Sequence, residues 1–204
     1  MTIDGAYANA GHVTFTLRVD ATGRIETAYD CIRPAGDVNE IGVAFTLVGA
    51  DRIRWNRKPN IWSWYPEESI SRLSGTAYRL RPESQAEAYG QKPNWDWKDT
   101  THQYRGDING DYRATYDFRA AKWNVYTCDL LQGNNTGLRT ELSGAESVRA
   151  SVNPDETVVL RANSHWGSPP PAGWEETPLF DRPLAVAAGQ RVTERLVFRM
   201  IDGE

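Results

Sequence analysis

The sequence predicts an all-β protein made of two packed layers of antiparallel strands. Short runs of alternating apolar and polar residues recur along the 204 residues, and turn-forming residues separate them. Ten or more strands are predicted without helices, so two sheets must bury their apolar faces against each other. The composition does not change along the chain, which predicts one domain over residues 1–204.

A β-hairpin is the first predicted element. Residues 12–19 and 24–32 alternate, and residues 20–23 supply the turn between them. Residues 34–37 predict a second turn, and the more continuous apolar run 41–48 predicts a strand covered on both faces. The core-facing positions predicted for the hairpin are Val13, Phe15, Leu17, Val19, Ile25, Thr27, Tyr29 and Cys31.

The next strand leads into an aromatic segment. Residues 52–57 alternate, with Ile53 and Trp55 on the predicted buried face. Trp64 and Tyr65 follow between two prolines, each of which forbids a continuing helix. We therefore predict an irregular loop that exposes flat aromatic faces with polar tips.

The middle of the chain has little periodicity. Over residues 82–110 a long ordered loop is favoured, and a short helix over 83–89 is the alternative. Asn109-Gly110 predicts a hairpin turn. Trp95 and Trp97 suit either a cover for the core, which is favoured, or a platform for a sugar.

Strands alternate with turns over most of the remaining chain. Turns are predicted at residues 134–137 and 153–155. Residues 162–180 predict a loop stiffened by three consecutive prolines. The predicted strands are 76–81, 111–120, 122–131, 138–142, 147–152, 157–162 and 191–201.

Composition restricts the classes of partner. The net charge is −4 and no basic run occurs, which argues against nucleic acid and anionic membranes. No apolar stretch reaches the ~18 residues of a spanning helix, and no signal peptide is recognised. The N-terminus suggests a start inside a longer protein, and the compartment stays open. Cys31 and Cys128 are too far apart for a metal-ligand pair, so we predict buried free thiols.

Two stretches carry a family resemblance. Residues 40–48 and 52–67 resemble the last domain of the β-galactosidases of glycoside hydrolase family 2. There, Arg-Ile-Gly and a strand precede Trp-x-Gly-x-Gly-Pro-x-Glu-x-Tyr-Pro-Asp-Arg. Glu40 stands where that family usually has arginine, and Glu67 replaces the aspartate. The matching residues are Ile41, Gly42, Trp55, Pro59, Tyr65 and Pro66.

This resemblance implies a fold and a role. The family's last domain is a β-supersandwich, like galactose mutarotase, that packs on a catalytic barrel and lends an aromatic residue to the sugar site. Trp174 best fits that aromatic residue, and Trp166 is the other candidate. The implied partners are a galactoside-like carbohydrate and the catalytic domain of a parent enzyme. The catalytic glutamates of the family lie on the barrel of about 250 residues, so we assign this chain no catalytic residue and expect no hydrolysis from it alone.

The predicted ligand-binding residues combine aromatic rings with polar groups. They are Trp174, Trp166, His165, Trp64, Tyr65 and Arg119. No cofactor or metal ligand is assigned. Arg119 is also suited to bracing a sheet by pairing with Asp117 or Asp129.

Other constellations favour structural interpretations. The adjacent carboxylates at 67–68 and 175–176 are expected to be solvated, because neighbouring strand residues point to opposite sides. Asp107 begins the spacing of a calcium loop, but Tyr112 and Phe118 occupy the positions that need glycine and glutamate, so a hairpin is preferred.

Two rival functions remain open. One is a free-standing carbohydrate-binding module. The other is a mutarotase-like aldose epimerase, which needs a histidine and a glutamate for acid–base chemistry. Only His165 with Glu175 or Glu176 offers such a pair.

Overall fold

The structure is a computed structural model that describes residues 1–7, 11–38, 40–58, 73–79, 97, 121–166 and 184–203. Every regular element in these ranges is a β-strand, which confirms the all-β prediction. Within the same ranges, no helix is long and apolar enough to cross a membrane.

Fourteen strands make up the described residues, and they are numbered in chain order. They are β1 (Thr2–Tyr7), β2 (Gly11–Val19), β3 (Arg24–Ile32), β4 (Gly36–Val38), β5 (Glu40–Leu47), β6 (Ala50–Arg57), β7 (Ser74–Tyr78), β8 (Ala121–Lys122), β9 (Val125–Gln132), β10 (Gly137–Glu141), β11 (Ser147–Val152), β12 (Val158–Trp166), β13 (Leu184–Val186) and β14 (Arg191–Ile201).

The strands form two facing antiparallel sheets and one short pair. The large sheet has the order β1-β2-β3-β14-β10-β9-β6-β7, and the small sheet has the order β5-β12-β11-β8. β13 pairs with β4. Buried side chains of both sheets form one hydrophobic core. Phe45 of the small sheet meets Phe198 of the large sheet with ring centroids 4.7 Å apart. The chain is therefore a two-layer β-sandwich, as predicted.

Period-two alternation explains which residues fill this core. In β3 the predicted inward positions are all buried, from Ile25 to Cys31. Ile53 and Trp55 of β6 are buried, whereas Arg54 is exposed. Both cysteines are buried free thiols, as predicted. Trp97 is also fully buried in the core, which confirms the favoured role as core cover for this tryptophan.

The prediction that residues 41–48 are covered on both faces is wrong. In β5 the odd-numbered positions face the core, but Gly42, Ala44 and Thr46 are exposed. Small residues carry little apolar surface, so a run that contains them does not require burial on both sides.

A single strand over residues 122–131 is also wrong. β8 ends at Lys122 in the small sheet, and β9 begins at Val125 in the large sheet. Asn124, which connects them, has a φ of 55°. Asparagine tolerates this left-handed backbone better than most residues. Two residues thus carry the chain from one layer of the sandwich to the other.

Two predicted irregular segments contain strand. Residues 36–38, assigned in part to a turn, form β4 and pair with β13. Residues 162–166, assigned to a loop, complete β12 and pair with β5 across a bulge at Ser164. His165 and Trp166 are therefore held by a sheet, because pairing with the partner strand replaces the local turn preference.

Two glycines of the β9–β10 hairpin offer a matched test of this packing. A Cβ at Gly137 would lie 1.9 Å from the Leu130 carbonyl oxygen, whereas a Cβ at Gly133 meets nothing within 4 Å. We expect Gly137→Ala to destabilise the chain by about 1–3 kcal/mol, since the ladder must shift to relieve the clash. Gly133→Ala is expected to be neutral or slightly stabilising. Urea unfolding of both variants checks the difference, and equal stabilities would contradict the pairing of Gly137 with Leu131.

Candidate functional site

The strand topology gathers several strand ends at one end of the sandwich, which we call the loop end. It is defined by Arg57 at the end of β6, Ser147 at the start of β11 and Trp166 at the end of β12. Arg57 is the register partner of Val125, whose N–H donates to the Glu146 carbonyl 2.9 Å away. The large and small sheets therefore meet here.

Most of the predicted ligand-binding residues lie outside the described residues. These are Trp64, Tyr65, Arg119 and Trp174. The sequence places them in stretches that adjoin described strands, and several of those strand ends belong to the loop end. Across the gap after β6, the Arg57 N–H donates to the Leu73 carbonyl over 2.8 Å.

The stretch that contains Trp174 adjoins the loop end as well. It follows Trp166, which pairs with Glu40. It precedes Leu184, which pairs with Val38 just before the start of β5. The strand ends that flank the two predicted sugar-binding stretches thus converge.

His165 and Trp166 are the predicted site residues that the structure places. The His165 backbone pairs with Ile41 and that of Trp166 with Glu40. The imidazole of His165 is half-buried, and its buried Nε2 has no hydrogen-bond partner among the described residues. Buried polar atoms are normally hydrogen-bonded, so this nitrogen can take a hydroxyl or a water molecule.

A hydrogen-bonded chain between the sheets fixes the bulge beside His165. The Tyr29 hydroxyl of the large sheet lies 2.7 Å from Ser164 Oγ, which donates to the Ile41 carbonyl at 3.2 Å. Because the Ser164 proton is used there, the Tyr29 phenol is the donor to Ser164. Burial raises the pKa of Tyr29 to about 12, so the phenol stays protonated at neutral pH. The bulge is therefore anchored to the opposite layer.

A buried ion pair lies on the outer face of the small sheet at the same end. The Arg149 guanidinium donates to both carboxylate oxygens of Glu40, with distances of 2.7 and 2.5 Å. Asn163 Nδ2 donates to the same carboxylate at 3.1 Å. Sequence reasoning missed this network, since 109 positions separate Glu40 from Arg149 and no local pattern connects them.

Two further cations are buried beneath the loop end. Lys122 is fully buried, with its ammonium group 4.1 Å from the centroid of the Trp55 ring, a cation–π distance. Arg57 Nε donates to the Trp123 carbonyl at 2.7 Å, and burial lowers the pKa of Arg57. Sequence alternation placed Trp55 in the core but gave no sign that a lysine from the other sheet would cover it.

The described part of the loop end has the chemistry of a binding site. Its polar groups are hydrogen-bond donors and buried cations, and the Glu40 carboxylate is already engaged by Arg149 and Asn163. A glycosidase needs two carboxyl groups on either side of a glycosidic bond. The described residues of the loop end do not supply such a pair.

Fold and site together define an all-β sandwich with a polar, aromatic-flanked end. No protein-family model matches the chain, and a search of curated proteins also finds no match.

Proposed function

We propose that the chain is an accessory β-sandwich domain of a β-galactosidase-like enzyme of glycoside hydrolase family 2. In this proposal it adopts the galactose mutarotase-like supersandwich, packs on the catalytic barrel and contributes to binding a galactoside-like carbohydrate. The observation that carries the proposal is the convergence at the loop end. Strand ends that flank the stretches of Trp64, Tyr65 and Trp174 meet there, next to His165 and Trp166.

The chemistry of the loop end supports binding rather than bond cleavage. Sugars are recognised by aromatic faces that cover C–H surfaces and by polar groups that hydrogen-bond hydroxyls. The buried Nε2 of His165 is such a polar group, and the anchored bulge at Ser164 holds it in place. Rigid elements position a binding group more accurately than free loops do.

A galactoside titration tests this proposal. We expect isothermal titration calorimetry of the chain with lactose to give a dissociation constant between mM and μM, roughly −4 to −8 kcal/mol. Trp174→Ala should weaken binding by about 1–3 kcal/mol, because a stacked ring loses its contact with the sugar. Val48→Ala is the matched control, since Val48 is exposed in the turn at the opposite end of the sandwich.

Each result bears on a different part of the proposal. Lactose binding that survives Trp174→Ala but not Trp166→Ala moves the aromatic contact to Trp166. The absence of any binding to lactose or galactose contradicts the carbohydrate role. Faster anomer exchange of galactose in polarimetry, abolished by His165→Ala, replaces the proposal with the mutarotase alternative.

A further inference from the structure

Six arginines lie on the outer face of the large sheet, and we call this surface the arginine face. Strand alternation sends them outward because their neighbours point into the core. Arg24 precedes buried Ile25, Arg54 lies between Ile53 and Trp55, and Arg199 follows Phe198. The members of the arginine face are Arg24, Arg54, Arg139, Arg191, Arg195 and Arg199.

Strand register aligns four of these arginines in one row. Arg139, Arg199 and Arg24 are direct partners on the neighbouring strands β10, β14 and β3. Beyond Arg139 the row continues through Asp129 to Arg54. With strands about 4.8 Å apart, the row is roughly 19 Å long. Like charges directly opposite each other destabilise a sheet, so folding alone gives no reason for this alignment.

The carboxylates on this face are too few to neutralise it. Asp129 is shared by Arg54 and Arg139, with contacts between 2.6 and 3.0 Å. Glu26 is shared in the same way by Arg24 and Arg195.

The other two ion pairs of the face are one-to-one. Glu141 accepts from Arg199, and Asp30 accepts from Arg191. Four carboxylates therefore face six guanidinium groups, although the chain as a whole carries a net charge of −4.

The carboxylates also hold the guanidinium groups in place and leave donors unused. Arg54 and Arg139 each contact Asp129 through Nε and one terminal nitrogen, and their other terminal nitrogen has no partner among the described residues. Arg199 contacts Glu141 through Nε alone. The side chains of Arg54 and Arg195 are more than half exposed. An incoming anion thus meets oriented donors that are already ordered.

We propose that the arginine face binds a linear anionic polysaccharide through its sulfate or carboxylate groups. On the described strands of the large sheet, no tryptophan or phenylalanine points outward. Binding of nucleic acid bases needs aromatic stacking platforms, and protein partners need buried aromatic or apolar anchors. A chain of saturated rings with repeated anionic groups needs neither, and a row of bidentate donors suits it.

Calorimetric titration with a heparin-derived hexasaccharide tests the arginine face. We expect binding at low ionic strength that weakens as sodium chloride is added, because salt screens exposed charges. Arg139→Gln combined with Arg199→Gln should reduce affinity about tenfold or more, since charge-assisted hydrogen bonds are lost. Arg161→Gln removes a positive charge from the outer face of the small sheet, so it should leave affinity within about twofold.

Further arms separate the outcomes. Arg139→Lys with Arg199→Lys keeps the charge and should retain part of the affinity, which controls for loss of folding together with thermal unfolding of each variant. Trp174→Ala should not change heparin binding, so this test can fail independently of the galactoside proposal. Absence of heparin binding, equal losses from Arg161→Gln, or tighter binding of duplex DNA or polyglutamate would overturn the assignment.

Discussion

Replacing Glu40 by alanine is expected to destabilise the sandwich by about 3–5 kcal/mol. Arg149 is nearly inaccessible to solvent, and it donates to both oxygens of the Glu40 carboxylate. Without that carboxylate, a guanidinium remains buried on the outer face of the small sheet with no counter-charge from β5. Asn163 loses its acceptor in the same step. Urea unfolding followed by tryptophan fluorescence measures the loss.

Two controls separate burial of charge from general damage to β5. Glu40→Leu combined with Arg149→Met removes both charges, and we expect this double variant to recover most of the stability, because apolar replacements of buried ion pairs are often neutral. Glu156→Ala breaks an ion pair with Arg79 in which the carboxylate is largely exposed, so it should have little effect. A Glu40→Ala variant as stable as Glu156→Ala would show that Arg149 reaches solvent.

The same buried pair shows what the sequence could and could not predict. Alternation in residues 147–152 predicts a strand, and that strand is β11. Alternation does not reveal that Arg149 meets Glu40, because register between distant strands depends on how the sheets assemble. The resemblance to the β-galactosidase domain singled out Glu40 as an exception, and its partner appeared only in the structure.

Layer assignment was the other limit of sequence reasoning. The strand period correctly predicts β2, β3, β6 and β14, where large apolar residues alternate with polar ones. It fails at Trp123 and Asn124, where the chain crosses between sheets without glycine or proline to mark the change. It also fails at His165, where pairing with β5 extends a strand through residues that locally favour a loop.

The largest effect of a core substitution is expected at Phe198, and it tests whether the two sheets face each other. Phe198→Ala should cost about 3–5 kcal/mol, because the ring is fully buried and leaves a cavity. Met200→Ala lies two positions along the same strand and is exposed, so it should stay within about 0.5 kcal/mol of the parent.

Phe45 supplies the decisive comparison, since its ring meets Phe198 at an interplanar angle of 60° from the opposite sheet. Edge-to-face pairs contribute about 0.5–1.5 kcal/mol beyond burial. In a double-mutant cycle, Phe45→Ala and Phe198→Ala should therefore couple by about that amount, measured by urea unfolding of the four proteins. Additive losses would mean that the rings do not touch. The loop end would then lose its basis, because the contact of Tyr29 with Ser164 requires the same facing of the layers.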